Sequence, residues 1–255
     1  MLNRALPILC AEGLGHRFPD GVWAFRGIDF DIKCGEVSVL AGRNGAGKSC
    51  FAKHLAGLME PTEGAVRISG HDLKSIKDSP ARHVGYLFQD ARLQVVGERV
   101  LDDVLFGPTN VGVDKGAALS RARQALSDCG LAEKEEAFVH RLSGGEIRRL
   151  AIAGLLAMKP EAMILDEPFA NLDFEGVGGV LRIVGSMAKE GIAVLIVTHE
   201  VEKILGMADV FSVMEHGSIV LRGGPREVLS KGIERFGLRD PFRPISQIMD
   251  LSWLA

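Results

Sequence analysis

The chain is poor in tyrosine, tryptophan and cysteine, and it has no long apolar run. One tyrosine and two tryptophans stand against thirty-one glycines in 255 residues. That balance disfavours a β-sandwich and favours many tight strand–helix junctions. The four cysteines (Cys10, Cys34, Cys50 and Cys129) show no C-x-x-C spacing. They argue against a zinc site and a disulfide framework, and fit a reducing cytoplasm. The longest apolar stretches, "LAIAGLLAM" and "GIAVLIV", reach about half of the ~20 residues a spanning helix needs. "ALPILCAEG" is broken by Glu12 and makes a poor signal peptide. If the protein works at a membrane, another chain must span it. A formal charge of −3 gives no general polyanion-binding character, and nucleic acid is not an expected partner. Positive charge is local, as at Arg148 and Arg149.

What is present is a 47% hydrophobic chain, enough for one large domain or a domain with a lobe attached. "LPILCAEGLGHRF" and "FRGIDFDIK" read as strands joined by a "PDG" turn at 19–21. "EVSVLAG" is an apolar strand, and "SCFAKHLAGL" places Phe51, Leu55 and Leu58 at helical spacing. "GAVRISG" and "HVGYLFQ" are further strands. "GAALSRARQALSDCG" and residues 146–158 read as helices, giving a helical subdomain at about 90–159. Beyond it, "AMIL", a helix at about 175–190, "IAVLIVT" and a hairpin turning at "EHG" alternate. Near-continuous apolar strands alternating with helices argue a parallel sheet covered on both faces. Residues 232–255 have weak periodicity and read as a short docking tail.

"GRNGAGKS", residues 42–49, follows a strand and precedes a helix, and fits G-x-x-x-x-G-K-[ST]. Gly45 and Gly47 permit backbone shapes that turn N–H groups of the loop, those of Asn44 and Ala46 included, toward phosphate oxygens. The helix start adds a positive dipole end. Lys48 brings an ammonium to the β and γ phosphates of ATP, and the Ser49 hydroxyl reaches Mg2+. The fold class is therefore α/β: a P-loop NTPase with a mixed or parallel sheet core, an N-terminal antiparallel β-subdomain and an inserted α-helical subdomain.

Asp166 and Glu167 end the strand in "AMILDEP". In an open parallel sheet, ligands bind beyond the carboxyl ends of the strands. Asp166 would hold magnesium and its waters, leaving Glu167 free to take a proton from an attacking water. His199 ends "IVTHE" as a γ-phosphate contact, and Gln89 ends "YLFQ" within reach of magnesium or the water. A second anion site is legible in "HRLSGGEIRRLAIAGLLAM": Ser143, Gly144 and Gly145 precede an apolar helix whose start reads as bare.

The ordered set GRNGAGKS, Gln89, LSGGE, ILDEP, NLD and His199 resembles an ATP-binding cassette ATPase, the motor subunit of ABC transporters. The resemblance covers about residues 5–230, which makes 1–231 one ATPase domain. Its core and β-subdomain would lie at about 1–89 and 160–231. It implies a head-to-tail dimer, with a second copy or a related cassette. ATP would lie between the P-loop of one copy and Ser143, Gly145 and Glu146 of the other. Phe18 falls where the family stacks an aromatic on adenine; a strand-core role is its alternative. Asp173, in "NLD", falls in the loop that communicates across the dimer.

Three departures stand out. Cys50 replaces the usual Thr; in the family's arrangement it can still give its backbone N–H to phosphate, but it offers no hydroxyl. Glu146 replaces the frequent Gln and adds a negative charge near a phosphate. Asn171 stands where Ala or Ser is more usual. "LFGPTNVG", 105–112, is similar to the same region of energy-coupling factor cassettes. That implies a bacterial importer of a vitamin or metal ion such as biotin, cobalt or nickel, with the cassette peripheral on the cytoplasmic face of the membrane. Its partners would be a transmembrane coupling protein and a substrate-binding membrane protein. Leu93, Val95, Val96, Val100 and Leu101 either floor the groove for the coupling protein or pack the helical lobe. The alternative function is a soluble cassette acting on nucleic acid or ribosomes. No long heptad insertion and no second cassette favour that alternative.

Overall fold

The computed structural model describes residues 7–76 and 79–242. Two strands open the chain, β1 (Pro7–Arg17) and β2 (Trp23–Lys33), paired antiparallel. Their turn is closed by Phe18 and Val22, with Asp20 Oδ1 accepting from the Val22 N–H at 3.0 Å. Asp is suited to this role because its short side chain caps the backbone two residues on. With β4 (Glu63–Ile68) and β5 (His71–Asp72) they make a four-stranded antiparallel sheet in the order β2-β1-β4-β5.

The second sheet holds six strands. They are β3 (Val37–Ala41), β6 (Val84–Leu87), β7 (Ala162–Asp166), β8 (Ala193–Val197), β9 (Val210–Glu215) and β10 (Ser218–Gly223). Their order is β10-β9-β3-β8-β7-β6, parallel except for the β9–β10 hairpin. Every residue of β3, β6, β7 and β8 is buried. Strand alternation splits these residues between two cores. Met163, Leu165, Val194 and Ile196 face one, while Ala162, Ile164, Leu195 and Val197 face the other.

The second of these cores lies between the two sheets and is filled by α1 (Lys48–Leu55). Phe51 meets Phe25 and Phe30 edge-to-face at centroid distances of 5.4 and 5.5 Å. The sequence reading carries the apolar face on to Leu58, but the helix ends at Leu55 and Leu58 is exposed. Gly57 at φ 69 turns the chain away, and a Cβ there would meet Leu73 and Pro80 at 2.9 Å.

The other core packs the helical lobe and the last helices. The lobe comprises α2 (Val100–Asn110), α3 (Lys115–Asp128) and α4 (Gly144–Leu156). Alanines 118, 122 and 125 let α3 approach closely. The long helix α5 (Phe174–Lys189) and the short α6 (Pro225–Leu229) complete this layer. Ile233, Phe236 and Leu238, read as the start of a docking tail, are buried in the same core. The rest of that tail, 243–255, lies outside the described residues. Among the described residues no helix is long and apolar enough to cross a membrane.

Candidate active site

The parallel strands end level with one another: Leu40 and Asp166 both pair with Val197. The segment after each strand is thereby brought to one edge of the sheet. After β3 comes the loop 42–49. Gly42, at φ 153, comes so close to β9 that a Cβ would sit 2.1 Å from the Met214 carbonyl oxygen. Gly47, at φ 102, caps α1 with no side-chain partner, so the first N–H groups of that helix stay available for an anion. Lys48 is buried, and its Nζ donates to the Gly42 and Arg43 carbonyls at 2.8 and 3.0 Å. Burial lowers its pKa, and the nearby Glu167 and Asp166 charges oppose that shift. An ammonium held by two loop carbonyls can exchange them for phosphate oxygens without leaving the loop.

After β7 come the two carboxylates. Asp166 is buried and accepts from the Tyr86 hydroxyl through Oδ2 at 2.8 Å. Burial raises its pKa, while the Ser49 and Tyr86 hydroxyls hold it down. Its Oδ1 is buried with no hydrogen-bond partner of ordinary geometry among the described residues. A spare anionic oxygen beside a hydroxyl matches the hard oxygen donors that Mg2+ takes, through water or directly. Glu167 has φ 48, a strained conformation for a residue with a side chain. Thr198 donates to its Oε2 at 3.0 Å, and His199 Nδ1 meets Oε1 at 2.8 Å. The Glu167 carboxylate is thus oriented by two residues just past β8, with the imidazole half-exposed beyond it.

A cleft of about 600 Å³ opens over these groups. Phe18, Asn44, Gly45, Gly47, Lys48, Ser49, Cys50, Gln89 and Glu167 line it. Phe18 is 41% exposed, so it is no core residue; its ring faces the cleft beside Val22 and Trp23. Cys50 contributes a half-buried thiol whose pKa is raised by burial. Ala46 does not line the cleft: it is buried, and its N–H closes the loop on the Arg43 carbonyl at 3.2 Å. Asp166 lies behind the lining.

Ser143, Gly145 and Glu146 are elsewhere. They open on a different cleft with Arg149, Asn171, Leu172 and Asp173. The start of α4 is capped, contrary to the bare start read from the sequence. Ser143 Oγ accepts from the Glu146 N–H at 3.3 Å, and Glu146 Oε2 accepts from the Ser143 N–H at 2.8 Å. This reciprocal box satisfies two of the helix's free donors. Glu146 also pairs with Lys134, and these contacts hold its carboxyl at a pKa of about 2. The extra negative charge is therefore turned onto its own helix start and a neighbouring ammonium. Asn171 has φ 58, which Asn adopts more readily than Ala or Ser. Asp173 caps α5 through the Gly176 N–H at 2.8 Å.

A profile of the ABC transporter family matches residues 25–170, more than half of the chain. The chain belongs to the ABC transporter family. It is an ATPase cassette of that family. The cassette is 38% identical over 240 residues to the energy-coupling factor transporter ATP-binding protein EcfA of Methanosphaera stadtmanae, covering 92% of this chain and 86% of that one. It is 37% identical over 241 residues to the cobalt import ATP-binding protein CbiO of Rhodobacter capsulatus, with coverage of 92% and 86%. The structure of CbiO1 from Clostridium perfringens, part of the ABC transporter complex CbiONQ, superposes with a TM-score of 0.81 at 34% identity. That match covers 92% of this chain and 96% of that one.

Three residues of the cassette's site escape the sequence reading. Tyr86 and Thr198 hold the two carboxylates, and from sequence both read simply as strand residues. Arg148, read only as local positive charge, is buried and donates to the Glu167 carbonyl at 2.6 Å. The apolar set after Gln89 divides. Val100 is core at 0% exposure, and Val95 and Leu101 pack against it, whereas Leu93 and Val96 are exposed at 77% and 59%. Phe18→Ala is expected to weaken ATP binding by about 5- to 150-fold, the ~1–3 kcal/mol that stacking a base on an aromatic ring supplies. Inorganic triphosphate, lacking a base, is expected to bind the variant and the parent equally in calorimetry.

Proposed function

We propose that this cassette is the motor of a membrane importer of the energy-coupling factor type, closing on ATP as a dimer and reopening on hydrolysis. The observation that carries the reading is a separation. The P-loop, Glu167 and Gln89 line one cleft, whereas Ser143, Gly145 and Glu146 line another on the same copy. A helix start attracts anions only within about its first turn. Ser143 and Gly145 therefore reach a γ-phosphate only if a second surface presents one, and a second copy offers both halves at once.

In this reading the N–H groups of 44–50 and the Lys48 ammonium grip the triphosphate, and the ring of Phe18 covers adenine. Ser49 and Asp166, with Gln89 at the rim, would hold Mg2+, which when bound offsets phosphate charge. Glu167, oriented by Thr198 and His199, takes the proton of a water attacking the γ-phosphorus. His199, half-exposed, is placed to donate to a γ-oxygen once the dimer closes. Loss of the γ-phosphate removes the contact that joins the two halves.

The names of the relatives and the segment "LFGPTNVG", which runs from α2 past its end, support the energy-coupling factor type, with a vitamin or transition-metal ion as cargo. The partners are then a transmembrane coupling protein and a substrate-binding membrane protein, with the cassette peripheral on the cytoplasmic face. Leu93 and Val96, exposed beside the Gln89 segment, suit the coupling protein. Affinity purification of the tagged chain from detergent-solubilised membranes is expected to bring down both membrane proteins in fixed ratio. Recovery of ribosomes or nucleic acid in their place would transfer the chain to the soluble cassettes.

A further inference from the structure

Arg148 sits in the second turn of α4, five residues after Ser143. It is a buried cation, with 7% of its surface exposed. Nη1 donates to the Glu167 carbonyl at 2.6 Å and Nη2 to the Gln89 carbonyl at 3.3 Å, while Nε is buried without a partner among the described residues. Burial lowers its pKa; the charges facing it are Asp90, Glu167 and Glu200. A guanidinium stays protonated under any such shift that leaves a protein folded.

Stability alone does not account for this placement. Desolvating a buried cation is repaid only where its geometry is excellent and every donor is satisfied, and here the Nε donor is left over. What the guanidinium does supply is two donors in a fixed fork, joined to the backbones of two segments that line the nucleotide cleft. One of these is the peptide of Glu167, which is held at φ 48. Such a conformation persists only where its surroundings over-determine it. The Glu167 N–H is fixed by the Val197 carbonyl, its side chain by Thr198 and His199, and its carbonyl by Arg148.

About one turn earlier, at the start of the same helix, stand Ser143 and Gly145, and Ser143 is locked there by the capping box with Glu146. A single rigid element thus carries a phosphate-facing end toward one site and a two-carbonyl clamp on the other. We propose that Arg148 is a positioning residue that couples the two ATP sites of the dimer. Engagement of the partner's γ-phosphate by the start of α4 seats Arg148, and Arg148 sets Glu167 and Gln89 of its own copy. The proposal rests on the two-copy reading above.

The test compares parent, Arg148→Met and Arg148→Lys. Steady-state hydrolysis gives kcat, KM and the Hill coefficient for ATP. Light scattering gives ATP-driven dimerisation, each variant being combined with Glu167→Gln so that the dimer persists. Arg148→Met is expected to lower kcat at least about tenfold, since misplacing a reacting group by about 1 Å can cost on the order of 10²-fold. KM, the dimerisation constant and the Hill coefficient are expected to stay close to those of the parent, since Arg148 touches neither the nucleotide nor the partner copy and acts only on the placement of Glu167 and Gln89. Arg148→Lys, which can reach one carbonyl at a time, is expected to recover part of kcat. A Met variant with near-parent kcat overturns the proposal. So does one that loses dimerisation and kcat together, since Arg148 would then only support the lobe. If the parent with Glu167→Gln fails to dimerise on ATP, the two-copy reading falls first and takes the coupling with it.

Discussion

Glu167→Gln is expected to bind ATP as the parent does and to lose nearly all turnover, with kcat falling by about 10²–10⁴-fold, the usual contribution of a positioned general base. The substitution keeps the volume of the side chain. Thr198 and His199, which meet the two carboxylate oxygens at 3.0 and 2.8 Å, can still meet the amide, because a hydroxyl rotates to donate or accept. The strained backbone at 167 keeps its Arg148 and Val197 partners, so the fold is preserved. What disappears is the capacity to accept a proton. Removing a negative charge beside the triphosphate also leaves affinity no weaker than before. Phosphate release, calorimetric ATP affinity and light scattering together check this, and the dimer is expected to outlast that of the parent. A variant that hydrolyses ATP near the parent rate would move the base elsewhere, with His199 the next group in reach.

The edge of the sheet where this chemistry collects is legible because parallel strands announce it. Gly42–Ser49, Asp166–Glu167 and His199 each come after an apolar run, and such runs end on one side of the sheet. Gln89 fits the same pattern. The groups that hold them are not legible. Thr198 is one residue from His199, yet a threonine after "AVLIV" reads as the last residue of a strand. Its bond to Glu167 spans thirty-one positions in sequence and no local pattern carries it. Arg148 misleads for a different reason. A long charged side chain on an amphipathic helix is usually solvated, and only tertiary packing decides that this one turns inward. The bare start read for α4 is the instructive error. Ser143-x-x-Glu146 is itself a capping-box pattern, but the phosphate reading of LSGGE draws attention to the charge and away from the helix. Leu58 fails because helical spacing is counted through Gly57. The apolar set 93–101 cannot be divided from sequence, since Val96 and Val100 are equally apolar and differ only in which way the chain turns them.

Ser143→Arg is expected to leave ATP binding to one copy almost unchanged and to abolish ATP-driven dimerisation, and turnover with it. Ser143 is exposed and lies in a cleft apart from the P-loop, so an arginine there meets no nucleotide on its own chain. In the closed dimer the same position would face the partner's γ-phosphate, where the long side chain leaves no room for the helix start to approach. The change also removes a helix cap, which costs about 1 kcal/mol. Spread over a domain of this size, that is a fall in melting temperature of about 2–4 °C, too little to unfold the chain. Ser143→Gly separates the two effects. It gives up the side-chain cap at a cost of only a few tenths of a kcal/mol, adds no bulk and is expected to dimerise weakly. Light scattering with and without ATP, in the Glu167→Gln background, distinguishes the three proteins. An arginine variant that still doubles its mass on ATP would mean that the start of α4 does not face a neighbour's phosphate. Each copy would then have to finish its own site with residues already lining its cleft.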